Sequence, residues 1–219
     1  MQNSWPHEPK SLTLASAVLI TNGSSSASHQ ESSIGKILLL ILGVAILSLS
    51  AHMKVPFYPV PMTLQTLVVL LIGMTYGMRL GGITILSYLL LGALGAPVFS
   101  GGAGVAYLVG PTGGYLAGFF VSVITLGFLT ERGLGKTWVT SGILAVIGTV
   151  AIYALGLSWL TSIIGYEKAL KFGLLPFVYG DFLKLVIVTL SIPFAWKILS
   201  NFRASPPDIF KSASVCSSI

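Results

Sequence analysis

Six long runs of apolar residues follow one another along the chain, separated by short polar stretches. The first run covers about residues 34–53 and includes the uncharged stretch Ile37–Ala51. The other runs cover about residues 63–78, 80–94, 111–130, 138–164 and 175–199. A run of about 20 apolar residues is long enough to cross the hydrocarbon core of a bilayer. The pattern therefore predicts an all-α integral membrane bundle of about six transmembrane helices.

Composition agrees with a chain that faces lipid. Only 8% of the 219 residues are charged, and 54% are hydrophobic, whereas soluble domains carry about 25% charged residues. A water-soluble fold of this size has too few charges here to cover its surface. We expect three regions: a polar, Ser-rich and disordered extension over residues 1–33, a transmembrane domain over 34–200, and a polar C-terminal tail over 201–219.

The twelve Lys and Arg residues predict the orientation. They are scattered between the apolar runs rather than gathered on one face, which argues against a nucleic-acid partner. In a six-span chain the side with both termini holds eight of them: Lys10, Lys36, Arg79, Arg132, Lys136, Lys197, Arg203 and Lys211. The other side holds Lys54, Lys168 and Lys171. Positive loops stay inside, so we expect a multi-pass cell-membrane protein with both termini cytoplasmic.

The second and third apolar runs are short for membrane spans. Only Arg79 separates their ends, so a tight helical hairpin is expected there. The predicted outer connections are then residues 55–61, 96–110 and 165–176. The first carries Pro56, Pro59 and Pro61, which predicts a stiff, non-helical rim.

Asp181 and Lys184 are the strongest polar signal inside an apolar run. Counted from Pro176, Asp181 lies about 7–8 Å and Lys184 about 12 Å along the helix. Their i, i+3 spacing places both on one face. Because each ion costs about 2.5–3.5 kcal/mol at mid-bilayer, that face must point into the bundle or a wet pocket. Two interpretations remain: a structural ion pair, or a polar anchor for a ligand that enters from outside.

A glycine-rich stretch opens the fourth run at Gly110-Pro111-Thr112-Gly113-Gly114-Tyr115. Gly114 and Gly118 form a small-xxx-small pair that permits close helix contact. Backbone N–H groups near Gly113 also suit an anionic ligand group, so packing and binding both remain possible. Aromatic side chains crowd the same half, and Phe99, Tyr107 and Tyr115 are candidates for a pocket wall.

Residues 133–137, with the sequence Gly-Leu-Gly-Lys-Thr, are similar to the end of a phosphate-binding loop. That motif needs a glycine five residues before Gly135, where this chain has Thr130. No zinc-binding motif and no Ser/His couple is evident either. We therefore expect no enzymatic activity, no metal and no cofactor.

Four stretches together resemble the BioY family, the substrate-capture (S) subunits of energy-coupling-factor biotin transporters. They are Val55–Gln65, Tyr88–Phe99, Gly110–Leu116 and the Gly180-Asp181-x-x-Lys184 motif. The resemblance spans about residues 34–200, with the stretches in the family's order.

The resemblance implies a six-helix S-component with an outward-facing biotin pocket. It implies that Asp181 and Lys184 contact the ligand, and we place Phe99, Tyr107, Gly113 and Tyr115 in the same pocket as further candidates. It also implies a transmembrane coupling protein and a pair of ATPases as partners. Three alternatives stay open: an S-component for another small vitamin, a membrane-embedded enzyme, and a membrane scaffold.

Overall fold

The structure is a computed structural model that describes residues 13–15 and 29–204. Its elements in chain order are α1 (His29–His52), β1 (Lys54–Val55), β2 (Met62–Thr63), α2 (Gln65–Ala93), α3 (Val105–Leu108), α4 (Gly113–Glu131), α5 (Trp138–Ile164), α6 (Tyr166–Gly173) and α7 (Leu175–Ala204). Five of the described helices, α1, α2, α4, α5 and α7, are long and apolar enough to cross a membrane. The predicted all-α membrane bundle is confirmed.

Helix α2 folds back on itself at Gly77. This residue has φ 80° and ψ −180°, a conformation that favours glycine. The Gln65 side-chain amide donates a hydrogen bond to the Tyr88 hydroxyl at 2.6 Å, although 23 residues of straight helix would span about 34 Å. The predicted hairpin is thus confirmed, with its turn at Gly77 instead of Arg79. With its two arms, the five long helices provide the six predicted apolar segments.

Helix α4 lies between α2 and α5 at close range. A Cβ atom added to Gly118 would lie 2.8 Å from the Ile152 Cα of α5. A Cβ at Gly114 would overlap Trp159 of α5, and a Cβ at Gly127 would overlap the backbone of α2 near Gly77. The Gly114–Gly118 pair therefore packs helices together, as the small-xxx-small pattern predicts.

The Gly-Leu-Gly-Lys-Thr stretch caps helix α5. The Thr137 hydroxyl accepts a hydrogen bond from the Thr140 N–H at 3.3 Å, and the Thr140 hydroxyl accepts one from the Thr137 N–H at 3.2 Å. This reciprocal arrangement is a capping box, which pairs N–H groups that the first helical turn leaves unbonded. The similarity to a phosphate-binding loop thus has a structural explanation.

Only part of the predicted N-terminal extension lies within the described residues. Thr13, Leu14 and Ala15 are buried, and Leu14 packs against Leu70 and Met74 of α2. Helix α1 begins at His29, before the expected boundary at residue 33, and α7 continues to Ala204. The rest of the extension, and the predicted tail from residue 205 onward, lie outside the described residues.

Apolar side chains are distributed in two ways. Buried ones form two clusters. One includes Val60, Tyr88, Phe99, Phe119 and Phe177; the other includes Leu70, Met74, Leu126, Leu144 and Val188. Large apolar side chains are also exposed along α1, α5 and α7, among them Ile41, Val150 and Leu183. Such a surface is suited to acyl chains rather than water.

Candidate functional site

Asp181 and Lys184 form a buried ion pair on α7. The Lys184 Nζ lies 2.8 Å from Asp181 Oδ1, and each side chain is only 7% exposed. The ammonium also donates to the Thr63 carbonyl at 2.8 Å and to the Thr66 hydroxyl at 2.9 Å. These three bonds use all three donors of the lysine. The pair therefore connects α7 to Thr63 of β2 and to Thr66 in the first turn of α2.

Tyr153 of α5 completes the network from the other side. Its hydroxyl donates a hydrogen bond to Asp181 Oδ2, so both carboxylate oxygens have a donor. The hydroxyl group reaches this position because α5 and α7 pack side by side. Sequence reasoning missed Tyr153. Its only signal was a hydroxyl in the middle of an apolar run, and the sequence does not reveal which helix it faces.

A cavity of about 50 Å³ lies beside this network. Its polar wall includes Thr66, Ser100, Tyr107, Tyr153 and Lys184, and its apolar wall includes Leu116, Phe119, Ile152 and Phe177. The residues Val60 and Pro61 of the proline-rich connection also line it. The cavity thus combines apolar walls with a few converging polar groups, the usual construction of a small-molecule site.

Two of the predicted aromatic residues line the cavity. Tyr107 shares a 2.8 Å hydrogen bond with the Ser100 hydroxyl. The Tyr115 hydroxyl donates to the Gly173 carbonyl at 2.9 Å, and its ring meets that of Tyr153 edge-on at 6.1 Å. Both tyrosines therefore present rings to the cavity while other elements hold their hydroxyl groups.

Phe99 and Gly113 lie behind the wall and not in it. The Phe99 ring is 3% exposed, stacked on Tyr107 at 4.9 Å and edge-on to Tyr88 at 5.4 Å. It supports Tyr107 from behind. Gly113 packs so closely against the Leu108 carbonyl of α3 that no Cβ fits there, and its neighbour Thr112 lines the cavity instead.

The connections around the cavity are held by side-chain hydrogen bonds. The Lys54 ammonium donates to the Ser100 carbonyl, and the Tyr88 hydroxyl donates to the Val98 carbonyl at 3.0 Å. The antiparallel pair of β1 and β2 joins the two ends of the proline-rich loop, with Lys54 opposite Thr63. Gln65, Thr66 and Ser100 at this rim were not predicted from the sequence, because nothing local distinguishes them from ordinary polar residues of a helix start or a connection.

Known proteins resemble the chain over most of its length. The BioY family matches residues 24–201. The probable biotin transporter BioY of Pyrococcus horikoshii is 41% identical over 148 residues, which cover 67% of this chain and 86% of that protein. The biotin transporter BioY2 of Lactococcus lactis subsp. cremoris is 36% identical over 167 residues, covering 74% and 90%.

A solved structure has the same fold. The crystal structure of the S-component for biotin from an ECF-type ABC transporter superimposes with a TM-score of 0.68 at 23% identity, covering 82% of this chain and 96% of that one. The family match extends from before α1 to the last turns of α7, so it includes every residue of the cavity. On these grounds the chain is a member of the BioY family.

Proposed function

We propose that the chain is the substrate-capture subunit of a biotin transporter and binds biotin in the cavity beside Asp181 and Lys184. The observation that carries the proposal is a buried, fully hydrogen-bonded ion pair at the wall of a cavity in a BioY-family protein. The relatives named above are a biotin transporter and a probable biotin transporter, and the family match over residues 24–201 includes the residues of this cavity.

The chemistry of the cavity suits biotin. The ureido ring has two N–H donors that suit the Asp181 carboxylate, and the ureido carbonyl or the valerate carboxylate suits the Lys184 ammonium. The apolar carbons of the ligand suit the rings of Tyr115 and Phe119. In this structure the Lys184 ammonium donates hydrogen bonds to Asp181, Thr63 and Thr66. A ligand that binds Lys184 must therefore replace at least one of these hydrogen bonds.

The cavity is smaller than most ligand sites, which measure about 300–1,000 Å³. At about 50 Å³, it admits biotin only after its cover moves outward. The proline-rich connection contributes Val60 and Pro61 to this cover, and Tyr58 of the same segment is 90% exposed. Outward movement of residues 55–61 opens the cavity toward the side with few positive charges.

The proposal also includes the orientation of the chain in the membrane and its partner proteins. Both termini face the cytoplasm, and biotin enters from outside. The chain has no intact phosphate-binding loop, so ATP hydrolysis is left to a coupling protein with two ATPases. A membrane-bound enzyme is disfavoured because the relatives named above are a biotin transporter and a probable one. The structural relative comes from an assembly of the ECF type.

Equilibrium binding to the purified chain in nanodiscs tests the proposal. Labelled biotin is expected to bind one site per chain and to be displaced by unlabelled biotin. Riboflavin and thiamine serve as competitors with different polar groups, and they are expected to displace none. Direct binding of labelled riboflavin or thiamine, with no biotin binding, would assign the cavity to another vitamin. Absence of binding by any of them would refute the capture role.

A further inference from the structure

A second cavity lies at the opposite end of the bundle from the Asp181 network. Its volume is about 350 Å³, which falls within the usual range for small-molecule sites. It is formed where α1 meets the second arm of α2, just after the reversal at Gly77. Its wall includes Lys36, Ile37, Tyr76, Arg79, Ile83 and Glu131.

The wall carries two cations and one anion. Lys36 on α1 and Arg79 on α2 are both exposed, and neither forms an ion pair with a side chain in the described part of the chain. Glu131 already has a partner, because its Oε1 accepts the Met78 N–H at 2.9 Å. That N–H follows the turn at Gly77, where the helical hydrogen-bond pattern is interrupted. A surplus of positive charge therefore faces the cavity.

The same cavity borders the apolar surface of the bundle. Ile37 is 57% exposed on α1 and Ile83 is 52% exposed on α2, and both contribute to the wall. In a membrane these side chains meet acyl chains. A ligand that fits this setting has an anionic group at the bundle end and hydrocarbon along the helices.

We propose that this cavity binds one anionic phospholipid, with its phosphate between Lys36 and Arg79 and its acyl chains along Ile37 and Ile83. Arginine matches phosphate with two parallel N–H donors, and lysine adds a point charge. Basic pockets between transmembrane helices are suited to anionic headgroups, and each basic side chain near the surface contributes about a fivefold gain in affinity.

Native mass spectrometry and thermal melting of the purified chain test the proposal. The protein is exposed to phosphatidylglycerol or phosphatidylcholine, with identical acyl chains in each. We expect one phosphatidylglycerol to be retained and to raise the melting temperature more than phosphatidylcholine does. Glycerol phosphate without acyl chains is expected not to displace it. Equal retention of the two lipids by the unaltered protein would overturn the proposal, and displacement by glycerol phosphate would assign the cavity to a soluble phosphate compound instead.

Variants locate the site. Lys36→Gln combined with Arg79→Gln is expected to weaken phosphatidylglycerol binding about 30-fold. The matched control combines Arg132→Gln with Lys197→Gln, which removes one arginine and one lysine at the same end of the bundle but outside the cavity. It is expected to keep the lipid. Equal loss in both double variants would show a general surface attraction and contradict the proposal. If the first double variant fails to fold, each single change is measured, with about a fivefold loss expected.

Discussion

Tyr153 illustrates how single residues determine the candidate site. Its hydroxyl donates a hydrogen bond to one oxygen of the buried Asp181 carboxylate, and the Lys184 ammonium donates to the other oxygen. A buried carboxylate oxygen that loses its donor is costly, because hydrogen bonds to charged groups contribute about 1.5–3 kcal/mol. We infer that Tyr153 is a positioning residue, which holds the carboxylate in the orientation that the ligand meets.

Tyr153→Phe is therefore expected to weaken biotin binding about 10-fold or more and to lower the free energy of unfolding. Tyr76→Phe is the matched control, since it also removes a tyrosine hydroxyl that donates a hydrogen bond, to the Leu39 carbonyl at 2.9 Å, and Tyr76 does not line the cavity beside Lys184. It is expected to reduce stability while leaving biotin affinity unchanged. Biotin titrations and thermal melts of both variants check this. Unchanged affinity in Tyr153→Phe would contradict the positioning role.

At the scale of single residues, the sequence indicated which groups are unusual but not what they contact. Asp181 and Lys184 were identifiable because charges inside an apolar run are costly. Their contacts with Thr63, Thr66 and Tyr153 depend on how three helices are rotated against one another. No local pattern encodes that rotation. Phe99 and Gly113 lie behind the cavity wall because of their contacts with the Tyr107 ring and the Leu108 carbonyl, which no local pattern encodes either.

The hairpin in α2 is the element that most depends on one residue. Gly77 has a positive φ, and a Cβ there would lie 2.7 Å from Glu131 Oε1 and 2.8 Å from Thr13 Cγ2. Gly77→Ala thus combines a positive-φ backbone with ψ near 180°, a conformation essentially restricted to glycine that costs about 1–3 kcal/mol, with a steric clash.

We expect Gly77→Ala to lower the melting temperature and the yield of folded protein. Gly142→Ala is the control, because Gly142 is helical and its nearest contacts would be 3.5 Å and 3.6 Å away. That change is expected to be neutral or to stabilise by up to about 1 kcal/mol. Similar melting temperatures for the two variants would indicate that α2 does not need a glycine at its turn.

Long elements were predictable and short ones were not. The apolar runs predicted all five long helices, because these runs are longer and more apolar than the connecting segments. Helices α3 and α6 lie in predicted outer connections. With four and eight residues, they are far shorter than a membrane span and were not predicted as helices. The burial of Leu14 was also not predicted, because a short apolar run in a polar segment does not show where it packs.

For the molecule as a whole, the orientation in the membrane is the first property to test. Gly101, in the connection between α2 and α3, and Asn201, near the end of α7, lie at opposite ends of the bundle. Reporter fusions at these two positions are expected to give opposite readouts, with Asn201 cytoplasmic because of the charge distribution. Matching readouts would refute the arrangement of six apolar segments.

The capture function depends on whether the Asp181–Lys184 pair serves a ligand or only the fold. Asp181→Asn keeps the shape and removes the charge, and Lys184→Met keeps the length and removes the charge. A pair that serves only the fold leaves an unpaired buried charge in each single variant, and the double variant restores stability. A pair that binds ligand loses charge-assisted hydrogen bonds in every variant.

The most direct test measures biotin affinity together with thermal stability in both single variants and the double variant. We expect about a 10- to 150-fold loss of affinity in each single variant, with no recovery of affinity in the double variant even where its stability returns. Recovery of both stability and wild-type biotin affinity in the double variant would show that the pair serves only the fold and does not bind biotin.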